Sequence, residues 1–227
     1  MLRKAQVVPN GAATTKVREI GARIARASEI EPLRREINLR TQGYTFAWDF
    51  NLLKSNQVNA FCLPGGKVAV FTGLLSVAEN DDQLATVMSH EIAHALAHHA
   101  SERIAREQKT EQAISAAAGA FGGMDPGSRE RLTGLLSAGA SLRGLAYDRQ
   151  QESEADHIGV FLMTFAGYDP AQAVKFWERM VNRSSRGAMP EILSDHPSDA
   201  HRVNQIRQWN TQAVAGYRAW KEGRIAR

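Results

Sequence analysis

The segment Ser89-His90-Glu91-Ile92-Ala93-His94 constrains this chain more than any other part of its sequence. It lies in a run from Gln83 to about Gln108 that is typical of a long helix. Helical residues four apart lie one turn apart on the same face, so the imidazoles of His90 and His94 can reach one ion. Glu91 projects beside them and can touch a water on that ion without binding the ion itself. The spacing therefore predicts a helix that carries two metal ligands and a neighbouring base.

A helical His-Glu-x-x-His pattern is the arrangement of zinc peptidases, in which the histidines hold the metal and the glutamate is the general base. The plainer interpretation is a polar stripe at a domain surface, because so short a pattern also arises by chance. His98 lies near the ligand face but one turn further along the axis, so we do not expect it to bind metal. An apolar face on the same helix favours a buried, central position; it is formed by Leu84, Val87, Met88, Ala95 and Leu96.

A zinc hydrolase needs a third protein ligand and an open position for water. Glu152 is the best candidate, on a helix expected from Arg149 to Ala166. Asp156 lies one turn beyond it on the same face, where it can accept the outer ring N–H of a ligand histidine and fix its tautomer. Glu154 is expected to point away, as a structural or solvent-facing residue. A helix dipole also favours acids in a first turn, but it does not explain why both motifs occur in one chain.

The remaining patterns predict a zincin-like α+β fold that is mostly helical, in a single domain over 1–227 with its motif-bearing core at about 44–210. Strands are expected at Tyr44–Phe50, Val58–Leu63 and Lys67–Thr72, and Pro64-Gly65-Gly66 is a hairpin turn signal between the last two. We expect a small, largely antiparallel sheet beside the histidine-bearing helix. The Ala- and Gly-rich stretch Ala113–Ala146 predicts two small-residue helices, which either pack tightly or form a mobile cover over the active site.

Composition excludes some classes of protein. The net charge is +4, and no interleaving of aromatic and basic residues suggests a nucleic-acid partner. Cys62 is the only cysteine, which excludes a disulfide framework and a cysteine-based metal site and leaves the redox compartment open. A late group of arginines forms either a solvated helix face or a peripheral contact with anionic lipid; it comprises Arg202, Arg207, Arg218, Arg224 and Arg227.

Five motifs, in one order along the chain, resemble the HtpX and CaaX-prenyl-endopeptidase family of gluzincin metallopeptidases. The resemblance is to its small soluble branch, which is related to the mitochondrial Oma-type and bacterial envelope peptidases. It covers about Tyr44 to Arg202. The motifs are Val58-Asn59-Ala60-Phe61-Cys62-Leu63-Pro64-Gly65-Gly66, Thr72-Gly73-Leu74-Leu75, Ser89-His90-Glu91-Ile92-Ala93-His94, Arg149 with Glu152-Ser153-Glu154-Ala155-Asp156, and His196-Pro197 with Arg202.

The resemblance implies one zinc ion per chain, held by His90, His94 and Glu152, with Glu91 as the base and Asp156 orienting a ligand. It also implies that Asn59-Ala60 lies on a sheet edge that pairs with an extended substrate, for which an edge strand offers free backbone groups. The alternative for Asn59 is a polar residue that flanks a turn.

His196 is expected in a loop before a helix, and the resemblance places it near the metal. Three roles stay open: it fills the fourth metal position in a resting state, it donates a hydrogen bond to the oxyanion, or it only caps the helix. Arg202 is expected to face the same cleft, where it or His196 stabilises the oxyanion. Arg149 either orients Glu152 or pairs with another acid.

Together these patterns predict a zinc-dependent endopeptidase that acts on extended or misfolded protein chains in protein quality control. The alternative is a chaperone-like binding protein with restrained or little proteolysis. We expect protein or peptide substrates and no nucleic acid. The expected location is the bacterial cell envelope or periplasm if a targeting segment has been removed, and otherwise the cytoplasm.

Overall fold

The computed structural model describes residues 6–39, 44–120, 127, 149–185, 190–196 and 200–224. They form a mostly helical α+β fold with one small sheet, which confirms the predicted class. The strands are β1 (Asp49–Leu53), β2 (Ala60–Leu63) and β3 (Lys67–Phe71). The helices are α1 (Ala12–Ala27), α2 (Glu31–Glu36), α3 (Thr72–Leu75), α4 (Asp81–Leu96), α5 (His99–Ala120), α6 (Arg149–Phe165), α7 (Ala171–Ser185), α8 (Glu191–Asp195) and α9 (Ala200–Lys221).

The sheet is mixed, so the prediction of a largely antiparallel sheet was wrong. Its order is β1-β3-β2, with β3 antiparallel to β2 and parallel to β1. The predicted hairpin is present, and Gly65 and Gly66 take the positive φ angles that its turn requires. The chain between β1 and β2 crosses to the far side of β3, so β1 pairs with β3 in parallel. A pattern of alternating residues does not reveal such a crossing.

The first strand begins later than predicted. Phe46 and Trp48 alternate as strand residues would, but their rings stack on one another with centroids 4.9 Å apart, ahead of the strand. Strand β1 starts at Asp49, and its apolar residues Phe50 and Leu52 are buried. Alternating aromatic residues are therefore compatible with a stacked row of rings as well as with a strand, since both place every second side chain on one side.

Helix α4 lies at the centre of the core, as predicted, and every residue from Gln83 to Leu96 is buried. It begins at Asp81, two residues before the predicted run, because the Asn80 side chain accepts a hydrogen bond from the Gln83 backbone N–H. The expected single helix to Gln108 was wrong. The chain breaks after Leu96, where His98 has a φ of +59°, and α5 starts at the next residue.

Helix α6 packs along α4 more closely than an ordinary side chain allows. A Cβ atom on Gly159 would lie 3.2 Å from the His90 backbone nitrogen, so glycine permits this approach. Helix α6 ends before Gly167, which has a φ of +85° as expected for a helix C-terminus. Helices α1, α7 and α9 complete the core, with Trp177 and Phe176 of α7 almost fully buried.

Three further points concern membrane spans, the Ala- and Gly-rich stretch and the group of arginines. No helix in the described part of the chain is both long and apolar enough to cross a bilayer. The predicted helices of Ala113–Ala146 lie outside the described residues beyond Ala120, apart from Gly127. Arg202 does not belong to a solvated arginine face, because it is only 5% exposed.

Candidate metal centre and active site

Four side chains that can bind metal meet between α4, α6 and α8: His90, His94, Glu152 and His196. One donor atom from each lies within 4.8 Å of the others, and all four residues are buried. The Nε2 atoms of His90 and His94 are 3.0 Å apart. They lie 3.4 and 3.3 Å, respectively, from the two carboxylate oxygens of Glu152. The packing of α6 on α4 thus brings the three expected ligands together.

His196 is the fourth donor, and it occupies a different local structure from the one expected. It ends the short helix α8, where its backbone N–H donates to the Ile192 carbonyl, rather than only preceding a helix. Its Nδ1 lies 3.2 Å from His90 Nε2 and 2.8 Å from Glu152 Oε1. Ile192 and Leu193 are buried, so α8 holds the ring in place through its apolar side.

Glu91 lies beside the four donors and is buried with them. Its Oε1 is 3.2 Å from Nε2 of His196, so this imidazole bridges Glu91 and the donor cluster. Burial raises the pKa of Glu91, but the nearby charge and hydrogen bond of His196 outweigh it and lower the pKa. Glu91 is therefore a carboxylate that can accept a proton.

Asp156 and Arg202 contact His90 on the side away from the donor cluster. Asp156 Oδ1 is 3.0 Å from His90 Nδ1, the outer ring nitrogen, as the sequence suggested. The Arg202 guanidinium donates two hydrogen bonds to Asp156, and its Nη1 lies 2.9 Å from Glu152 Oε2. It also lies over the Trp177 ring, with Cζ 4.3 Å from the centroid. These contacts favour Arg202 as a residue that positions two carboxylates.

One residue near the site was missed by the sequence interpretation. Nδ1 of His99 lies 2.9 Å from Nδ1 of His94, and its Nε2 lies 3.3 Å from Glu154 Oε2. Burial lowers the pKa of His99, which favours the neutral ring. Five residues along an unbroken helix would turn His99 about 140° away from His94. The break in the helix at His98 instead places His99 against His94. The sequence interpretation missed His99 because it did not predict this break.

The cluster satisfies the charge requirement of a divalent cation. Its buried acids are Glu91, Glu152 and Asp156, and Arg202 is the buried guanidinium beside them. With the imidazoles neutral, as metal binding requires, three carboxylates and one guanidinium leave two negative charges in a desolvated site, which is unfavourable without a counter-charge. One oxygen of Glu91 and one of Glu152 also lack a well-directed hydrogen bond within the described part of the chain.

The donor set also suits zinc. Imidazole nitrogen and carboxylate oxygen are ordinary zinc ligands, and ligands at about 2 Å from a tetrahedral ion lie about 3.3 Å apart. Five of the separations among these donors, from 2.8 to 3.4 Å, are close to that spacing. The pKa values of His90 and His94 shift in opposite directions in this cluster. Burial lowers the pKa of His94 to about 3, whereas Glu152 and Asp156 overcome the effect of burial at His90 and raise its pKa.

The predicted substrate-binding residues lie at the edge of the sheet. Ala60 begins β2, the outer strand, and Asn59 precedes it with its side-chain oxygen accepting from the Ala60 N–H. Burial and the negative charge of Glu91 together raise the pKa of the Cys62 thiol, so β2 runs close to the base. Arg149 is exposed at the first position of α6, and its predicted role stays a prediction.

Comparison with known proteins gives consistent matches over most of the chain. A family model described as "Peptidase family M48" matches residues 16–210. The chain is 37% identical over 171 residues to the mitochondrial metalloendopeptidase OMA1 of Schizosaccharomyces pombe, which covers 73% of this chain and 48% of the relative. It is 30% identical over 177 residues to the β-barrel assembly-enhancing protease of Escherichia coli, covering 72% of this chain and 36% of the relative. The chain thus spans less than half the length of these relatives.

Proposed function

Because the chain belongs to peptidase family M48, we propose that it is a zinc-dependent endopeptidase that hydrolyses peptide bonds within extended or misfolded protein chains. One observation carries the proposal: donor atoms of His90, His94 and Glu152 converge in a buried cluster next to the Glu91 carboxylate. This arrangement sets a metal-binding centre beside a general base, and hydrolysis of an amide bond requires both.

In the proposed mechanism, His90, His94 and Glu152 would hold zinc, which would supply a Lewis acid to lower the pKa of water and polarise a peptide carbonyl. Glu91 takes a proton from the attacking water and later passes it to the amine nitrogen of the leaving peptide. Asp156 keeps a proton on Nδ1 of His90, so that the lone pair of Nε2 is directed at the donor cluster. Arg202 holds the carboxylates of Asp156 and Glu152 in this orientation.

We propose that the substrate binds as an added strand along β2. This strand pairs on only one side within the described sheet, so its outer backbone groups can bond an extended peptide. Its closeness to Glu91, indicated by the raised pKa of Cys62, would bring the peptide backbone to the base. Endopeptidases that bind backbone groups accept unfolded chains of many sequences, which supports a role in protein quality control.

We favour the resting-state role for His196. Its ring contacts Glu91 on one side and the donors on the other, so it fills the space where substrate and water must react. Burial works against a charged ring, but Glu91 and Glu152 prevail and raise the pKa of His196 to about 10, so the ring must lose a proton before it can fill the fourth metal position. The same contact with Glu91 would also suit a hydrogen-bond donor to the oxyanion.

The His196 ring fills the space between Glu91 and the metal-binding donors. This supports the second candidate function, a chaperone-like protein that binds misfolded chains and rarely cleaves them. Both candidates fit protein or peptide partners. The relative whose name refers to β-barrel assembly supports a cell-envelope location for this chain within the proposal. A peripheral contact with anionic lipid is part of the same proposal.

Metal analysis combined with a casein cleavage assay tests the proposed function. Purified protein should carry about one zinc ion per chain and cleave casein in a chelator-sensitive manner. Glu91→Gln is nearly isosteric and should keep zinc while losing cleavage, because it removes only the base. Glu152→Ala should lose most of the zinc, whereas Glu107→Ala, a change at an exposed acid of α5, should lose none. Cleavage by the Glu91→Gln variant would disprove the mechanism.

Substitution of His196 by alanine separates its three roles. If it restrains the site, the variant should cleave casein faster than the wild type with zinc still bound. If it stabilises the oxyanion, turnover should fall by about a hundredfold. If it matters only at a helix end, stability should fall by about 1 kcal/mol with turnover nearly unchanged.

A further inference from the structure

His94 has a buried partner that the proposed mechanism does not use. His99 begins α5, and its Nδ1 lies 2.9 Å from Nδ1 of His94, the ring nitrogen that faces away from the donor cluster. On its other side, His99 Nε2 lies 3.3 Å from Glu154 Oε2. The His99 side chain is 1% exposed and the Glu154 side chain is 56% exposed. A continuous row of polar atoms therefore runs from the protein surface to the metal-binding centre.

The chemistry of the groups fixes the direction of this row. A carboxylate only accepts hydrogen bonds, so Glu154 requires the proton of a neutral His99 to lie on Nε2. His99 Nδ1 is then an acceptor, and His94 must donate from its own Nδ1. This leaves the lone pair of His94 on Nε2, which is 3.0 Å from His90 Nε2 and 3.3 Å from Glu152 Oε1. The row selects the tautomer of His94 that can bind metal.

We propose that His99 is the positioning residue for the metal ligand His94, and that Glu154 anchors it. The proposal rests on the proposed function, because it assigns a role toward the same zinc ion. It gives His94 what Asp156 gives His90, a carboxylate-based partner for the outer ring nitrogen. Helix α6 then supplies the ligand Glu152 and, at 154 and 156, the anchors of both ligand histidines.

The backbone at the end of α4 supports a dedicated role for His99. His98 has a φ of +59°, a left-handed conformation that costs a residue other than glycine about 1–2 kcal/mol. The Tyr44 ring lies on the His98 ring at 3.8 Å and packs against this turn. The turn reverses the direction in which the next side chain points and places His99 against His94. Backbone strain of this kind is typical of functional sites.

Zinc affinity, measured by competition with a zinc-binding dye, tests the proposal. His99→Leu should raise the zinc Kd by about ten- to a hundredfold, the usual effect of losing a partner that orients a ligand. His99→Gln should lose less, because its side-chain oxygen can accept the His94 N–H. Glu154→Ala should raise the Kd by about three- to tenfold, since the anchor acts through His99. The matched control Glu107→Ala removes an exposed acid of α5 and should leave the Kd unchanged.

A double substitution distinguishes a connected row from two separate effects. In the His99→Leu background, Glu154→Ala should have no further effect on the Kd, and an additive effect would overturn the proposal. If His99 only supports the fold, His99→Leu should lower the melting temperature of the metal-free protein and leave the Kd unchanged.

The exposed position of Glu154 keeps the proposal testable if His99→Leu does not fold. In that case a Kd within twofold of the wild type for Glu154→Ala would overturn it. A wild-type chain that binds no zinc would reject the proposed function together with this inference. A wild-type chain that binds zinc tightly, alongside an unchanged Kd in the Glu154 and His99 variants, would reject this inference alone.

Discussion

Replacing Arg202 by methionine should destabilise the protein strongly. The guanidinium pairs with Asp156 through two hydrogen bonds and with Glu152 at 2.9 Å, and it stacks on Trp177. Methionine preserves much of the side-chain volume but removes the charge. The substitution would leave two buried carboxylates with no guanidinium partner, so the penalty comes from their lost counter-charge.

The size of the effect follows from burial. Arg202 is only 5% exposed, so water screens its ion pairs very little. Removing one partner of a buried ion pair costs about 3–5 kcal/mol. For a domain of this length each kcal/mol lowers Tm by about 2–4 °C, so we expect a fall of about 6–20 °C. The Tm of Arg202→Lys should lie between those of the wild type and Arg202→Met, because an ammonium keeps the charge but cannot reproduce the bidentate contact with Asp156.

Thermal unfolding of zinc-loaded protein, followed by far-UV circular dichroism, measures this effect. Arg207→Met is the matched control on the same helix: Arg207 pairs with Glu178 but its side chain is 54% exposed, so the loss should stay below about 1 kcal/mol. If Arg202 is instead an oxyanion donor, Arg202→Met should cut kcat about a hundredfold with little change in Tm. A Tm within about 2 °C of the wild type would refute the argument from buried charge.

Three further predictions concern the helices and the metal. Protein treated with a chelator should have a Tm about 8–16 °C lower than protein in a buffer where free zinc is about a thousand times its Kd, because the ion binds only the folded chain. Asn80→Ala should cost about 1 kcal/mol in urea unfolding, through loss of the hydrogen bond to the Gln83 N–H at the start of α4. Gly159→Val should cost about 1–3 kcal/mol and weaken zinc binding, because a side chain there pushes α6, which carries Glu152, away from His90.

The sequence predicted the parts of the molecule that depend on local spacing. Helix α4 and the hairpin turn at Gly65 and Gly66 both follow from short patterns, and the structure confirms them. The family resemblance drawn from the motifs is confirmed by the match to residues 16–210. Each of these features is determined by residues within a few positions of each other. The structure also brings the expected ligands together, although no spacing could measure the distance from α4 to α6.

The features that the sequence did not predict depend on contacts between distant segments. The parallel pairing of β1 with β3 results from the path of the chain around the sheet. At the break, the His98 ring contacts the ring of Tyr44, more than fifty positions earlier in the chain. Glu154 was expected to point away from the site, and its side chain is indeed largely exposed. It nevertheless contacts His99, a contact that exists only because of that break.

The attachment of α8 connects substrate binding to the position of His196. The Ile192 N–H donates to the Val58 carbonyl, and Glu191 accepts from the Val58 N–H, so α8 is bonded to the backbone just before β2. A peptide that extends along β2 and past Ala60 would compete for those same groups of Val58. Its binding would loosen α8 and withdraw His196 from Glu91.

Coupling of this kind would restrict cleavage to chains that can form a strand. Glu191→Ala should therefore raise basal casein cleavage several-fold by weakening the attachment of α8, with zinc content unchanged, because Glu191 touches none of the metal-binding donors within the described structure. The partly exposed acid Glu178 on α7 offers a control, and Glu178→Ala should leave cleavage unaltered. Equal basal rates in the wild type and Glu191→Ala, with His196→Ala faster than both, would keep the restraint by His196 but reject its release through Val58.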